Sequence, residues 1–202
     1  MRNIKDVVLL ITAIILGINS VKGQYLTAAQ MCIYYGQPKS VITVGSQGTI
    51  FTKFDRQGRI VNIRQGNMHI AYAWSEDGRT VTLSMYQGAN FMSSTDIEIS
   101  EFSASKHEYR VNGNVDMSVR FKENGAIDKI RLSAPQMQGV TTYFYRSPQE
   151  MFPYAVEQSS GDQSIKMSII INETDDYGNP AMFTQEVIGN KEVCRYEIEY
   201  YQ

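Results

Sequence analysis

Apolar and polar residues alternate along most of the chain. Ile165, Met167, Ile169 and Ile171 fall on one side of a period-two pattern, and Lys166, Ser168 and Asn172 on the other. Cys194, Tyr196, Ile198 and Tyr200 alternate in the same way with Arg195, Glu197 and Glu199, and Met117, Val119 and Phe121 with Ser118 and Arg120. Successive side chains of a strand point to opposite faces, so each run predicts a strand with one face on a core and one face wet.

Between the runs lie turn signals. Asn112-Gly113, between Val111 and Val115, predicts a two-residue hairpin, because both positions of a type I′ turn need positive φ. Gly189-Asn190 predicts a second one, which would set Phe183 opposite Tyr196. Further turns fall at residues 45–48, 55–58, 65–67, 75–78 and 122–125. Helix is confined to short pieces around residues 27–33 or 147–152. The expected fold is all-β: an antiparallel meander of about 10–14 short strands forming one curled or wrapped sheet, open or partly closed. Residues 24–202 are expected to form a single domain, the one plausible break being residues 146–153.

One pattern repeats. Residues 54–63 (FDRQGRIVNI), 74–83 (WSEDGRTVTL) and 121–130 (FKENGAIDKI) share an aromatic, three polar residues, a glycine and an alternating strand closed by an aliphatic. Each reads as a hairpin, with the glycine taking the left-handed turn conformation. A diverged pair is Tyr35-Gly36-Gln37-Pro38 and Tyr177-Gly178-Asn179-Pro180. The first copy resembles the YD (RHS-type) repeat, whose core is aromatic-Asp-x-x-Gly-Arg, through Phe54, Asp55, Gly58 and Arg59. The second keeps Trp74, Gly78 and Arg79 with Ser75 in place of the Asp. The third keeps Phe121 and Gly125, with Lys122 and Ala126 in the Asp and Arg places. The resemblance covers about a third of residues 24–202 and implies a long antiparallel sheet in a small exported bacterial protein.

The amino terminus has a basic start (Arg2, Lys5), an apolar run from Val7 to Ile18, and small residues Val21 and Gly23. That is the pattern of a signal peptide, residues 1–23, cleaved after Gly23. The alternative, a membrane anchor, would need about 20 apolar residues. Its removal takes Arg2, Lys5, Lys22 and Asp6, leaving 16 positive and 20 negative side chains, a net −4. The product should be secreted or periplasmic, with no membrane span after signal removal. An acidic balance argues against a nucleic-acid partner. In an oxidising compartment Cys32 and Cys194 read as a disulfide closing almost the whole domain, worth about 4 kcal/mol; the alternative is two buried thiols.

Candidate chemistry is sparse. His69 and His107 are scattered, and no metal-ligand spacing, nucleophile elbow or dinucleotide fingerprint is present, so no metal, no cofactor and no catalytic residue is assigned. Asp175-Asp176 reads as a solvated turn rather than a calcium loop. Asp96, Glu98 and Glu101 lie on an alternating stretch whose acidic side faces water. Thirteen tyrosines, clustered at Tyr34-Tyr35, Tyr143-Phe144-Tyr145 and Tyr200-Tyr201, are the better lead. Adjacent strand residues face opposite ways, so each cluster puts one ring inward and one outward. The expected role is a non-enzymatic structural or interaction module at the cell envelope, its partner an envelope protein or a glycan. The alternatives are a carbohydrate- or ligand-binding domain using exposed aromatics and, least favoured, a hydrolase with an unrecognised carboxylate pair.

Overall fold

The computed structural model describes residues 34–202 apart from 47, 103–105, 112–114 and 136. The expected signal segment, the short helix considered at 27–33 and Cys32 lie outside the described residues. The strands are β1 (Pro38–Gly45), β2 (Gly48–Phe54), β3 (Ile60–Gln65), β4 (Met68–Trp74) and β5 (Thr80–Gln87). Then come β6 (Asn90–Phe102), β7 (Lys106–Val111), β8 (Val115–Phe121), β9 (Ile127–Ala134) and β10 (Met137–Phe144). The last are β11 (Ala155–Ser160), β12 (Gln163–Thr174), β13 (Pro180–Val187) and β14 (Asn190–Tyr200). The fold is all-β and antiparallel, as the alternation predicts. Residues 147–152 are bends and turns rather than helix.

The described residues fall into two compact units, one of residues 34–97 and 169–202, the other of residues 98–168. The segment 146–153 lies inside the second. In the first unit hydrogen-bonded neighbours run β6-β5-β4-β3-β2-β1-β14-β13-β12, and in the second β6-β7-β8-β9-β10-β11-β12. The first strand is therefore paired on both sides: Val41 faces Thr52 of β2 and Ile198 of β14. An edge that would otherwise offer unpaired amides to another chain is covered.

Each unit buries the apolar side of its alternation. In the first, Val41, Val81, Leu83, Ile169, Phe183 and Tyr196 point inward. Tyr34 meets Phe54 and Tyr196 edge-on, with ring centroids 6.1 and 6.2 Å away. In the second, Met117, Val119, Ile130, Tyr143 and Val156 are buried. A smaller apolar cluster there joins Ala126, Met151 and Phe152 under Tyr145, whose hydroxyl donates to the Ile127 carbonyl at 2.5 Å. The described exposed positions of β8, β9 and β14 instead carry Arg120, Arg131, Arg195, Glu197 and Glu199.

The repeated sequence is a repeated turn. Gly58 donates its N–H to the Asp55 carbonyl, Gly78 to Ser75 and Gly125 to Lys122, each at 2.9–3.0 Å. A fourth copy, Gly178 to Asp175, joins β12 to β13. All four glycines have φ between 69° and 85°, where a Cβ is strained. Asp55 Oδ1 accepts from the N–H groups of Gln57 and Arg59, both at 2.9 Å. Asp175 Oδ1 does the same for Tyr177 and Asn179 at 3.0 and 2.8 Å. Where the first turn residue is Ser75 or Lys122, the third supplies the acceptor: Asp77 takes the Arg79 N–H and Asn124 the Ala126 N–H. The Ser75 hydroxyl, then the Arg79 N–H, holds the Asp77 carboxyl below its ordinary pKa. The first two copies also touch. Arg59, paired to Asp55 at 2.7 Å, lays its guanidinium 5.2 Å from the Trp74 ring centroid, and Trp74 Nε1 donates to the Ile60 carbonyl.

Two hairpin registers differ from expectation. Val187 pairs with Asn190, so the loop is Ile188-Gly189 and Phe183 sits opposite Cys194, not Tyr196. A shift of this kind keeps every side chain on its own face, so alternation cannot detect it; it places Gly189 at the second turn position. Val111 pairs with Val115, leaving three residues between the strands rather than two. On β12 the inward set is Met167 and Ile169 alone, for Ile165 and Ile171 lie past the core and are 52% and 38% exposed.

Ile188 has φ 50° beside Gly189 at 77°, so both loop residues have the positive φ of a type I′ turn, and Ile188 is 81% exposed. A β-branched residue is strained there and gains little from packing. Ile188→Asn is expected to stabilise the protein by about 1 kcal/mol and raise its Tm by about 2–4 °C. Thermal unfolding followed by circular dichroism measures it.

Candidate functional site: a tyrosine platform

Three segments far apart in sequence meet in the first unit: Tyr34-Tyr35-Gly36 before β1, the turn of residues 175–179, and Tyr200-Tyr201 at the end of β14. Asn179, fully buried, joins them. Its Oδ1 accepts from the Tyr35 N–H at 2.7 Å, and its Nδ2 donates to the Tyr35 carbonyl at 3.0 Å and to the Tyr200 hydroxyl at 2.5 Å. The amide thus treats Tyr35 as a neighbouring strand would, taking both of its backbone groups. The Tyr200 hydroxyl donates in turn to Asp175. Partial burial, then this bond to Asp175, pushes the Tyr200 phenol above its ordinary pKa.

The two Tyr-Gly dipeptides pack against each other. A Cβ at Gly36, where φ is +77°, would lie 3.2 Å from the Tyr177 ring and 3.2 Å from the Tyr200 ring; one at Gly178 would lie 3.9 Å from Tyr35. Each tyrosine therefore covers the other dipeptide's glycine. Tyr177 also lies on Tyr200, with centroids 4.1 Å apart and a tilt of 31°. Tyr34 points into the core while Tyr35 and Tyr177 remain 38% and 54% exposed. Beside them Tyr201 donates to the Phe54 carbonyl at 2.8 Å, and the Arg56 guanidinium sits 5.1 Å from its ring centroid. The result is a ledge of phenol rings with Arg56 and exposed Asp176 as polar neighbours.

The residues singled out in the sequence separate into several places. Phe54, Asp55, Gly58, Arg59, Trp74, Gly78 and Arg79 form adjoining turns of the first unit. Phe121 and Gly125 belong to the second unit, where Lys122 lies 4.0 Å from the Tyr145 ring centroid. Asp96 accepts from the Thr82 hydroxyl at 2.7 Å, and both it and Glu98 face solvent. His69 stacks on Tyr86, its cross-strand partner, at 5.1 Å and 18°. Of the platform residues, Asp175 shares the Asp-x-x-Gly spacing of Asp55 and Gly58, a fourth copy that reads from sequence as a solvated turn; Asn179 carries no motif beyond the likeness between the two Tyr-Gly segments.

The expected disulfide is not formed: Cys194 is a free thiol, 1% exposed on the inner face of β14. Burial, and secondarily the charge of Glu192, pushes its pKa up to about 12. A thiol so placed is a core residue rather than a nucleophile.

No family model and no curated protein sequence matches the chain. Among solved structures it is similar to a porin-like protein from Bacteroides vulgatus, at 11% identity and a TM-score of 0.49, covering 82% of this chain and 99% of that one. A porin-like protein from Bacteroides uniformis gives 7% identity and a TM-score of 0.31 over the same shares. Likenesses of this size carry no functional argument. Among the described residues no helix is long and apolar enough to cross a membrane.

Two outcomes test this geometry. Asn179→Ala removes its hydrogen bonds to the Tyr35 N–H, the Tyr35 carbonyl and the Tyr200 hydroxyl and should cost about 3 kcal/mol in urea unfolding, at about 1 kcal/mol for each bond. Cys194 should resist iodoacetamide at pH 8 in the folded protein and react once unfolded, as peptide mass mapping will show.

Proposed function

We propose that the chain is an exported, non-catalytic binding module that takes a glycan on the Tyr35–Tyr177 platform. The observation that carries this reading is the pair of exposed rings held rigidly over each other's glycines. Tyrosine offers a flat apolar body with a polar tip at low cost in conformational entropy, which suits the C–H faces and hydroxyls of a sugar. Arg56 and Asp176 supply a donor and an acceptor at its rim. The Asp175 carboxylate is engaged by two backbone N–H groups and by Tyr200, which argues for a structural task rather than proton transfer.

The charged exposed faces support a role in aqueous surroundings. A lipid-facing strand carrying Arg or Lys near mid-membrane would lose about 2–4 kcal/mol per residue, whereas β8, β9 and β14 expose several charges. Export itself rests on the signal-like residues 1–23, and the kinship to YD repeats on the first copy of the turn.

Residues 24–202 screened on an array of neutral oligosaccharides should retain at least one glycan, confirmed by calorimetry. Tyr177→Ala is expected to weaken that binding at least tenfold, while Phe91→Ala, which removes another exposed ring (59% exposed), leaves it unchanged. Equal loss in both variants, or retention by neither the parent chain nor Phe91→Ala, overturns the platform as the site.

A further inference from the structure

One row of side chains crosses the first unit on the face turned away from its core. In register, Ile42 of β1 pairs with Phe51 of β2, Phe51 with Arg64 of β3, Arg64 with His69 of β4 and His69 with Tyr86 of β5. Their neighbours Thr52, Ile70 and Met85 are buried, so the row itself points outward. Tyr86 meets Phe91 of β6 at 5.7 Å and 71°, and Phe91 is 59% exposed. Neighbouring strands lie about 4.8 Å apart, so from Phe51 to Phe91 the row is about 19 Å long. The next outward positions on β3, β4 and β5 are Asn62, Ala71 and Ser84, again in register. A lane of short side chains therefore runs beside the rings.

The rings present their edges to solvent. His69 and Tyr86 are stacked at 5.1 Å with 18° between their planes. Stacked partners in register turn their faces along the row, which leaves the edges outermost, and an aromatic edge is the positive part of the ring's quadrupole. Arg64, exposed between Phe51 and His69, adds a full positive charge. On the same face Lys53, two residues from Phe51, is set against Glu199, and Glu197 stands opposite Ile42, three strands from Arg64. Asp96 is held on the Thr82 hydroxyl, four residues along β5 from Tyr86. Cross-strand stacking accounts for His69 and Tyr86 as sheet-stabilising partners. It does not account for the guanidinium and the exposed phenyl ring that flank them.

We propose that this row docks an extended acidic polypeptide segment of another protein, laid along the lane of Asn62, Ala71 and Ser84. At about 3.3 Å per residue, about six residues of extended chain match the length of the row. A carboxylate of the segment takes the Arg64 guanidinium as a two-pronged pair, and its apolar side chains lie on Phe51, the ring edges and Phe91. Arginine set among aromatic rings is the arrangement that concentrates binding energy in protein interfaces. A sugar needs an open ring face for its C–H groups, and the faces of His69 and Tyr86 lie along the row between Arg64 and Phe91. The row shares no residue with the tyrosine platform, so it stands whether or not the platform holds a glycan.

Residues 24–202, isotopically labelled, are titrated with an end-blocked hexapeptide of alternating glutamate and tyrosine, with its lysine–tyrosine counterpart, and with maltohexaose. Saturable amide shifts centred on Arg64, His69 and Tyr86 are expected with the glutamate peptide and with neither of the others. Arg64→Gln should weaken that binding at least fivefold with little change in Tm, and Arg64→Lys should weaken it less. Tyr86→Ala should weaken it as much as Arg64→Gln, its Tm reporting any loss of sheet stability alongside. Val193→Ala, which trims an exposed apolar side chain elsewhere in the unit, leaves binding unchanged. The proposal is overturned by the absence of saturable shifts with the glutamate peptide, by equal shifts with the lysine peptide, by shifts of this row with maltohexaose alone, or by unchanged binding in Arg64→Gln.

Discussion

The buried amide of Asn179 fixes the geometry on which the candidate site depends. Its carbonyl and its amino group occupy opposite needs of one residue, the Tyr35 N–H and the Tyr35 carbonyl. A side chain that offers both a donor and an acceptor on a short stem is required there. Aspartate would meet the carbonyl with no proton and set a second charge beside Asp175; alanine would leave both backbone groups without this partner. By holding Tyr35 from a turn 144 positions away, the amide joins the segment before β1 to the β12–β13 connection and, through Tyr200, to β14. The rings of Tyr35 and Tyr177 can cover each other's glycines because that junction is set by hydrogen bonds rather than by apolar contact alone.

The four glycine turns show how one backbone shape is reached with different residues. The N–H four positions after the first residue of each turn needs an acceptor, and the acceptor comes from the first residue in Asp55 and Asp175 but from the third in Asp77 and Asn124. The shape belongs to the hydrogen-bond problem, and several sequences solve it. This is why the likeness to YD repeats fades from copy to copy while the turn persists, and why Arg59 matters for a separate reason: it reaches Trp74 of the next hairpin.

What could be read from the sequence follows from the period of the strand. Alternation is a property of each run by itself, so the inward placement of Met117, Val119, Met167, Ile169 and Tyr196 was legible, and so were the glycine bends between runs. Register is a property of two runs, and Ile188-Gly189 was misplaced because both pairings send the same residues inward. Local preference favoured Gly189-Asn190; the fold instead accepts positive φ at Ile188 and sets Gly189 second in the turn. The disulfide is a property of two distant residues in the same way: alternation places Cys194 on the inward side of β14, opposite Phe183, and says nothing of its distance from Cys32. The platform was the least legible of all, since Asn179, Tyr35 and Tyr200 meet only through contacts spanning most of the chain.

Charge placement across strands follows register as well. On β7 and β8 Arg110 stands opposite Asp116, and on β1 and β14 Lys39 meets Glu199 at 2.6 Å. The Lys39 ammonium holds the Glu199 carboxyl below its ordinary pKa. At these places the chain sets opposite charges across neighbouring strands, as sheet stability favours.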